Sequence, residues 1–581
     1  MKCRGAFFAA GWLCFLLSAL ASAYPQQAIV INRPTPPRLL VDVGMPESKG
    51  RISRVSTAKD LQNAIDRATG GDQIVIDAGS TITGNFVLRN KQRSNGFVVI
   101  RSSGNIPPSG NRVAPSDAGA MARIQTDNSA PVFTTELGAH NYRLIGLEIT
   151  KVPERSGSHR DLSYGLVWIG GPAPGTDKYP SQTLQLPHHI IIDRCYIHGD
   201  YGAPHGETYR GVMLHGDNVA VIDSYVANIH SEGMEVQAIE GGNSNGPIKI
   251  VNNYLEASGE NIMFGGFDPS IPGLTTADIE IRHNLIAKPA TWNPNSPEFK
   301  GVNYSVKNLF ELKNTVRVLI DGNVLENNWV KAQNGTAILF TVRNQAGNCD
   351  WCAVQDVTFT NNIVRGTNHV FNIIGADGPN PNVSRKSWKT QQTQRILIAN
   401  NLAYDIGGKL WNPNPSTGYG IFAAVAGGGA AKAPFVPIKD LIIQHNTAFP
   451  PYQVLSMALE PATDGFLFTD NVFTHGIYGI FGDGTGAGEV AIKKFVKRPQ
   501  ISNNLLVGAS QLADNYPRSG FRWADSLAKV GFVNLDQCID APYNLDGCRI
   551  RKKGKPGVEP GVDVDRLKAA TACVLSGKSC L

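Results

Sequence analysis

A short strand pattern that repeats along most of the chain constrains its fold more than any other feature. Each copy is an alternating apolar run that reaches an Asn and continues through further apolar residues, as in IEIRHNLI (279–286) and VTFTNNIV (357–364). The Asn recurs at intervals of 25 to 45 residues, at Asn253, Asn284, Asn323, Asn362, Asn401, Asn446, Asn471 and Asn504. Repeats of this length predict a solenoid rather than three or four separate globular domains.

A second class of apolar runs lies between these copies, for example GVMLHG (211–216) and LFELKN (309–314), and no helical pattern separates the two classes. Two strand classes per repeat, with insertions of variable length, predict an all-β fold: one single-domain parallel β-helix over residues 55–510. The repeated Asn has a structural interpretation, because Asn tolerates the left-handed backbone of a tight bend and its amide can form a ladder along the stack. A catalytic use of the repeated Asn is the alternative.

Both ends of the solenoid need protection from edge-to-edge association. Thr57 offers an N-cap, and the following apolar residues recur at helical spacing, so we expect a capping helix at about residues 57–69. Residues 24–54 form a Pro-rich lead-in, and order is expected to begin near Val55. The loop-rich, cysteine-bearing segment 511–581 is expected to cap or flank the last coil.

The N-terminus has the pattern of a secretory signal peptide. Lys2 and Arg4 precede the apolar run 7–20, and Ala-Ser-Ala at 21–23 offers a cleavage site, so residues 1–23 are predicted to be removed. We expect a secreted or periplasmic monomer without a membrane span in the mature chain, a membrane anchor being the alternative. Cleavage lowers the formal charge from +6 to +4, which argues against nucleic acid as a partner.

Cysteine spacing points to an oxidising compartment, because six cysteines fall into three close pairs. We predict the pairs Cys349–Cys352, Cys538–Cys548 and Cys573–Cys580. For Cys349 and Cys352 a staple of a local loop is favoured over a redox or zinc site, since no second CxxC follows. Cys195 is left over and is expected to be buried.

The second strand class displays polar side chains on one face if its apolar residues point into the core. The outward set is then Met213, His215, Glu235, Gln237, Glu311, Lys313, Thr341 and Arg343. Lys313 and Arg343 would lie side by side in neighbouring coils, which is costly unless a carboxylate, an anionic substrate or a metal-bound network compensates. Gly265 would leave space for a sugar ring. Glu235, Glu260 and Glu311 could supply oxygen ligands for calcium.

This constellation suits β-elimination from a polysaccharide that contains uronic acids. A base removes the proton next to the uronate carboxylate, and a cation that neutralises this carboxylate stabilises the enolate-like transition state. We predict Lys313 as the base, with His215 or Tyr304 as reserve bases, and Arg343 as the cation that holds the carboxylate or polarises the leaving side. His215, Gln237 and Asn344 are predicted to bind substrate.

The opening DLQNAIDRATGGDQIVIDAG, followed by rungs of the IxIxxNxI type, resembles the right-handed parallel β-helix proteins of the pectate-lyase-like superfamily. Within that superfamily, the order LFELKN then ILFTVRN resembles the alginate-lyase and chondroitin-lyase family, which uses a Lys base, an Arg and calcium. The resemblance implies that Lys313 matches the base, Arg343 the Arg, and Glu260 or Glu311 a calcium ligand.

Three other interpretations stay open at this stage. Lys313, Arg343 and Glu311 could be solvated edge charges, and Glu235 and Gln237 a solvated ladder. The protein could instead be a glycan-binding or surface-adhesion β-helix without catalysis, or a glycoside hydrolase, although the carboxylate motifs of polygalacturonases are missing. Several tryptophans could be sugar-stacking platforms or packing residues: Trp168, Trp292, Trp329, Trp351 and Trp411.

Overall fold

The chain is a right-handed parallel β-helix, in which residues from Ile31 onward form one compact unit. The computed structural model describes residues 30–580 except for 92–95, 153–161, 173–174, 379–383, 385–386, 415–418, 429–435, 459, 461, 535–537, 539–544 and 551–558. The predicted signal peptide, 1–23, therefore lies outside the described residues.

Three long sheets run along the axis, and each coil contributes one strand to each sheet in the order sheet 1, sheet 2, sheet 3. The strands of sheet 1 are Ile52–Val55, Gln73–Ile76, Val98–Ser102, His140–Ile145, His188–Asp193, Asp217–Ile222, Ile248–Val251, Thr276–Arg282, Thr315–Asp321, Val354–Thr360, Gln394–Ala399, Lys439–Gln444, Thr463–Thr469, Val496–Lys497 and Gln500–Ser502. The strands of sheet 2 are Thr81–Thr83, Ala122–Thr126, Leu147–Lys151, Tyr196–His198, Tyr225–Ile229, Tyr254–Ala257, Leu285–Ala287, Val324–Asn328, Ile363–Thr367, Leu402–Ile406, Thr447–Ala448, Val472–Thr474, Asn504–Val507 and Phe521–Ala524.

Sheet 3 contains the second strand class of the sequence. Its strands are Phe86–Leu88, Phe133–Thr135, Val167–Ile169, Arg210–Leu214, Gln237–Gly241, Glu260–Phe264, Phe310–Leu312, Thr336–Thr341, His369–Ile374, Ile421–Ala426, Gln453–Ala458, Gly479–Gly482 and Gly486–Ala487, the last of them antiparallel. A separate short pair joins Leu162–Ser163 to Glu207–Thr208.

The inward side chains form one continuous core, as the alternation of the sequence predicts. Phe310, Phe340, Phe371 and Phe422 stack along the inner face of sheet 3, with successive ring centroids 5.5–6.4 Å apart. Because large apolar rings fill the interior at these positions, the side chains that alternate with them are directed outward.

The repeated Asn residues form a buried ladder between sheets 1 and 2. The amide oxygen of Asn362 accepts hydrogen bonds from the backbone N–H (2.8 Å) and the side-chain amide (3.0 Å) of Asn323, and the same pattern recurs from Asn253 to Asn504. The prediction that the ladder Asn itself adopts left-handed backbone is wrong. The residue before each ladder Asn adopts the left-handed backbone, as Asn361 (φ 54°) does before Asn362. The bend comes first, and the amide of the following Asn then points into the core.

Helices close both ends of the core. The first, Ala58–Arg67, starts at the predicted N-cap, where the Thr57 hydroxyl accepts a hydrogen bond from the backbone N–H of Asp60 (3.1 Å). At the other end, helix Glu489–Phe495 buries Ile492 and Phe495 against the last coils. Shorter helical elements are Leu527–Val530, Val564–Thr571 and the 3-10 turns Pro115–Ala120, Thr183–Gln185, Ala290–Trp292, Ser510–Asn515 and Leu545–Cys548.

The Pro-rich lead-in is an ordered strap across sheet 1, so the expectation that order begins near Val55 is wrong. The side-chain amide of Asn32 donates to Asp440 (3.0 Å). The backbone N–H of Thr35 donates to Asp356 and that of Arg38 to Asp278, both at 2.8 Å. Each of these aspartates lies two coils from the next. An extended Pro-rich chain rises about 3.1 Å per residue, so three residues match two coils at about 4.8 Å each.

We expect a chain that begins at Leu39 to be less stable than one that begins at Ile31 by about 2–4 kcal/mol, because two buried carboxylates, Asp278 and Asp356, lose backbone donors. Denaturant unfolding of the two chains measures the difference. Identical midpoints would mean that the strap is a passive surface segment.

The C-terminal segment flanks sheet 2 rather than covering only the last coil. Leu567 and Val574 pack on Val324, Ile363 and Leu402 of sheet 2. The three disulfides predicted from spacing are formed, and Cys195 is buried, which raises the pKa of its thiol to about 12. In the described part of the chain, no helix combines the length and apolar character that crossing a bilayer requires.

Candidate functional site

A charged cavity of about 280 Å³ lies on the outer face of sheet 3. Its lining residues are Glu235, Glu260, Met263, Gly266, Lys307, Glu311, Lys313, Gln333, Arg343 and Gln345. Five of these were predicted from the sequence as catalytic or metal-binding residues, namely Glu235, Glu260, Glu311, Lys313 and Arg343. The fold therefore brings the predicted acidic and basic residues together in one place.

Strand alternation positions the central members of the cavity. Phe310 and Leu312 point into the core, so Glu311 and Lys313 point outward. The register pairs Leu312 with Phe340 in the next coil, and the backbone N–H of Arg343 donates to the carbonyl of Lys313 (3.1 Å). Lys313 and Arg343 thus extend from adjacent coils.

Gly265 has a packing role. It has left-handed backbone (φ 87°), and a Cβ there would lie 2.9 Å from the backbone nitrogen of Asn314 and 3.1 Å from Cβ of Lys313. The predicted space for a sugar lies one residue later, because Gly266 and not Gly265 lines the cavity. Gly265 lets the chain approach Lys313 closely.

Each cation of the cavity has an acidic partner. Lys313 contacts Glu311 (2.7 Å), and Arg343 contacts the fully buried Asp377 (2.6 Å). Lys307 contacts both Glu235 and, at 3.6 Å, Glu260. The side chains of Lys307, Lys313 and Arg343 are 14, 15 and 28% exposed, which leaves their charged ends within reach of a ligand in the cavity.

Burial and charge separate the pKa values of the carboxyl groups. Burial, reinforced by the negative charge of Glu311, raises the pKa of Glu260 to about 7 against the opposing effect of Lys307. For Glu235, partial burial is outweighed by the hydrogen bond from Lys307, which lowers its pKa. Burial alone would lower the pKa of the Lys307 ammonium, but the negative charges of Glu260 and Glu235 outweigh it and raise that pKa. Lys307 therefore stays a cation at neutral pH.

The three carboxylates predicted as calcium ligands do not form a ready cage for that ion. Lysine ammonium groups already contact Glu235, Glu260 and Glu311. Among the described residues, the only His, Cys and carboxylate groups close enough to share an ion belong to His283, Cys573 and Cys580, and these two cysteines form a disulfide. The arrangement does not fit calcium, and the calcium site stays a prediction from the sequence.

The three predicted substrate-binding residues lie in different surroundings. Gln237 is buried beside the charged cavity and donates to Glu260 (2.6 Å), so it orients that carboxyl. His215 lines a second cavity on sheet 3, described below. Asn344 is fully buried, accepts a hydrogen bond from the backbone N–H of Cys349 (2.8 Å) and belongs to the disulfide loop. We therefore leave Asn344 out of the substrate-contacting set.

The structure also separates packing aromatic residues from accessible ones. Tyr304, a predicted reserve base, is buried with Trp292, Trp329 and Trp411, and its hydroxyl donates to the carbonyl of Pro204 (2.8 Å). Burial raises its pKa. Of the predicted tryptophan platforms, Trp168 lines a cavity, whereas Trp351 packs against the core.

Two contributors to the charged cavity were missed in the sequence. Lys307 lies three residues before strand Phe310–Leu312. The feature of the sequence that could have indicated it is its spacing of six residues from Lys313. Lys288 is fully buried and donates to the carbonyls of Ala257, Gly259 and Asn308 and to the side chain of Asn261, at 2.7–3.0 Å. Because these bonds hold the residues on both sides of Glu260, Lys288 positions that carboxyl.

Comparisons with known proteins give structural likeness only. No protein-family model and no curated protein matches the chain. A PL6 family alginate lyase, AlyGC, is 12% identical with a TM-score of 0.45, and the match covers 89% of this chain but 58% of that one. A mannuronic acid specific family 6 lyase from human gut microbiota is 12% identical, with a TM-score of 0.39 and coverage of 80 and 93%.

The family 28 exopolygalacturonase of Yersinia enterocolitica is also 12% identical, with a TM-score of 0.33 and coverage of 75 and 76%. These likenesses assign no activity, which must be argued from the charged cavity itself. The solved structures similar to this chain are right-handed parallel β-helix proteins, and the chain has that fold.

Proposed function

We propose that the protein is an exported enzyme that cleaves an acidic, uronic-acid-containing polysaccharide by β-elimination. The observation that carries the proposal is the convergence of Lys307, Lys313 and Arg343 on one small cavity of sheet 3, beside buried carboxyl groups. The side chains of Lys307 and Arg343 stay partly exposed beside their acidic partners, so a uronate carboxylate can reach both cations. A neutralised carboxylate makes the proton on the adjacent carbon more acidic.

The cavity supplies each role that the elimination needs. Lys307 and Arg343 bind the uronate carboxylate. Glu311, 2.7 Å from Lys313, first accepts the ammonium proton, and the neutral Lys313 amine then takes the proton from the adjacent carbon. The electron pair of that C–H bond becomes the new carbon–carbon double bond as the glycosidic C–O bond breaks. Protonated Glu260 then gives its proton to the leaving oxygen. Release of the proton on Glu311 to solvent and uptake of one by Glu260 restore the cavity for the next turnover.

The raised pKa of Glu260 predicts an alkaline limit on activity. Glu260 is protonated below its pKa of about 7, so kcat should fall as the pH rises through that value. We expect Glu260→Gln to lower kcat by about a hundredfold and to abolish this limb of the kcat–pH profile. Glu298→Gln, which changes an exposed carboxylate, should leave the profile unaltered. If Glu260→Gln still lost activity through the same alkaline limb, a group other than Glu260 would cause that limb.

A glycoside hydrolase is the second candidate, and the divergent pKa values of Glu260 and Glu235 favour it. A raised pKa suits a general acid and a lowered one a general base, which is the pairing that hydrolysis uses. Both carboxyl groups contact Lys307, so both face the same ligand.

A screen of purified protein against alginate, pectate, chondroitin, glucuronan and mixed uronate polymers tests the proposal. Elimination produces unsaturated uronates with ultraviolet absorbance together with new reducing ends. New reducing ends without that absorbance would favour hydrolysis, and retention of intact polymer without products would favour a binding protein.

The proposal includes export and action as a monomer. Three disulfides support an oxidising compartment. Cell fractionation and size-exclusion chromatography test these two points.

A further inference from the structure

A second cavity on sheet 3, of about 430 Å³, is lined mainly by aromatic and apolar side chains. Its lining residues are Tyr164, Trp168, Tyr179, Tyr209, Arg210, Met213, His215, Glu240, Asn243, Phe267, Asp268 and Ser270. We call it the aromatic cavity. Its volume is in the range of small-molecule sites, and aromatic faces with a few polar groups are suited to sugar rings.

Local packing fixes the walls of the aromatic cavity. Trp168 lies in a narrow slot, because a Cβ on Gly165 would come within 2.1 Å of the indole nitrogen. The adjacent strand contributes Met213, which pairs with Trp168 in the register. The loop after strand Glu260–Phe264 contributes Phe267, whose ring contacts His215 edge to face with centroids 5.1 Å apart. The aromatic surface is therefore built into the coil.

The charges of this cavity disfavour a carboxylate. Arg210 is its only Lys or Arg among the described lining residues, and its guanidinium is already paired with Glu240. Burial lowers the pKa of His215 to about 4, so the ring is neutral at pH 7. Asp268 forms no ion pair within the described part of the chain and accepts hydrogen bonds from the backbone of Ala346 and Asn348. The cavity keeps net negative charge.

The aromatic cavity and the charged cavity adjoin along the axis of the solenoid. Glu240 of the former pairs in the sheet with Met263 of the latter, and Gly266 of the charged cavity precedes Phe267 of the aromatic one. Adjacent coils are about 4.8 Å apart, close to the length of one sugar residue in an extended chain. The strands that carry Met213 of the aromatic cavity and Glu311 of the charged cavity are three coils apart. A polysaccharide lying along sheet 3 therefore spans the two cavities with about four sugars.

We propose that the aromatic cavity is a subsite for an uncharged sugar, so that the substrate is a mixed polysaccharide with a neutral sugar about three residues along the chain from the uronate, as in an alternating polymer. This inference rests on the proposed function of the charged cavity for the uronate. A homopolymer of uronic acids would place a carboxylate against Asp268 and Glu240, where repulsion opposes binding.

Binding of defined tetrasaccharides tests the inference without requiring cleavage. The probes are β-1,4-linked tetraglucuronate, cellotetraose and an alternating tetrasaccharide of glucose and glucuronate, with a parallel galacto-configured set. Calorimetry and tryptophan fluorescence measure Kd for the wild type and for Trp168→Ala, Phe267→Ala and the control Tyr478→Ala, which changes an exposed aromatic residue elsewhere.

We expect the alternating probe of at least one set to bind most tightly. Trp168→Ala and Phe267→Ala should each weaken it about tenfold, while Kd for the all-uronate probe changes less than about twofold. Tighter binding of the all-uronate probe, an equal loss on both acidic probes, or no binding by any probe would overturn the inference. The expected binding pattern without any cleavage product would refute the elimination reaction but support the subsite.

Discussion

Replacement of Lys313 with Ala is expected to lower kcat on the cleaved polysaccharide by about a thousandfold or more, because the proposed base is removed from the reacting proton. Lys313→Arg is the informative companion. Arginine keeps a positive charge beside Glu311, 2.7 Å from the lysine nitrogen, but cannot accept a proton at neutral pH. We therefore expect it to be nearly as inactive as the Ala variant. Initial rates from the absorbance of the unsaturated product measure both.

Two results bear on the assignment of Lys313. Lys439→Ala, which removes an exposed lysine of sheet 1, should retain full activity. Substantial activity in Lys313→Arg, with little in Lys313→Ala, would show that Lys313 contributes charge rather than proton transfer. Thermal unfolding of each variant separates a loss of chemistry from a loss of fold.

Replacement of Asn362 with Leu is expected to lower the free energy of unfolding by about 3 kcal/mol. The change removes the acceptor for two N–H groups of Asn323, and it removes the side-chain amide that donates to Asn401 (3.2 Å) and to the carbonyl of Ile320 (3.0 Å). The backbone N–H of residue 362 keeps its bond to Asn401 (2.9 Å). All these groups are buried, so water cannot replace the lost bonds.

Denaturant unfolding measures this effect. Asn295→Leu, at an exposed loop position, is the control and should change the midpoint little. A change of less than about 0.5 kcal/mol in Asn362→Leu would show that the coils are held by strand pairing and core packing alone.

The periodicity of this sequence was sufficient to predict the coil, because inward and outward positions alternate and the repeated Asn marks each bend. It could not predict the strap. The contacts of Thr35 and Arg38 with Asp356 and Asp278 span more than 200 residues and use backbone donors, which leave no pattern in the side chains.

The site was predictable where its residues lie in a strand of the second class or within two residues of one. Glu311 and Lys313 alternate with core residues, so their outward direction was evident in the sequence. Lys307 precedes its strand, and Asp377 follows the strand of the next coil and is fully buried against Arg343. Their positions depend on how the loops fold back, and no strand period specifies that. The aromatic cavity was missed as a unit because, apart from Trp168 in strand Val167–Ile169, its rings come from residues outside the strands, such as Tyr179 and Phe267.

The most direct test of the central claim is digestion of a cleaved acidic polysaccharide in heavy-oxygen water, followed by mass spectrometry of the oligosaccharides. Elimination at the charged cavity predicts a terminal unsaturated uronate, a product mass lower by one water than that of the hydrolysis product, and no heavy oxygen incorporated by cleavage. Products with one heavy oxygen from cleavage and no unsaturated terminus would contradict elimination and identify hydrolysis.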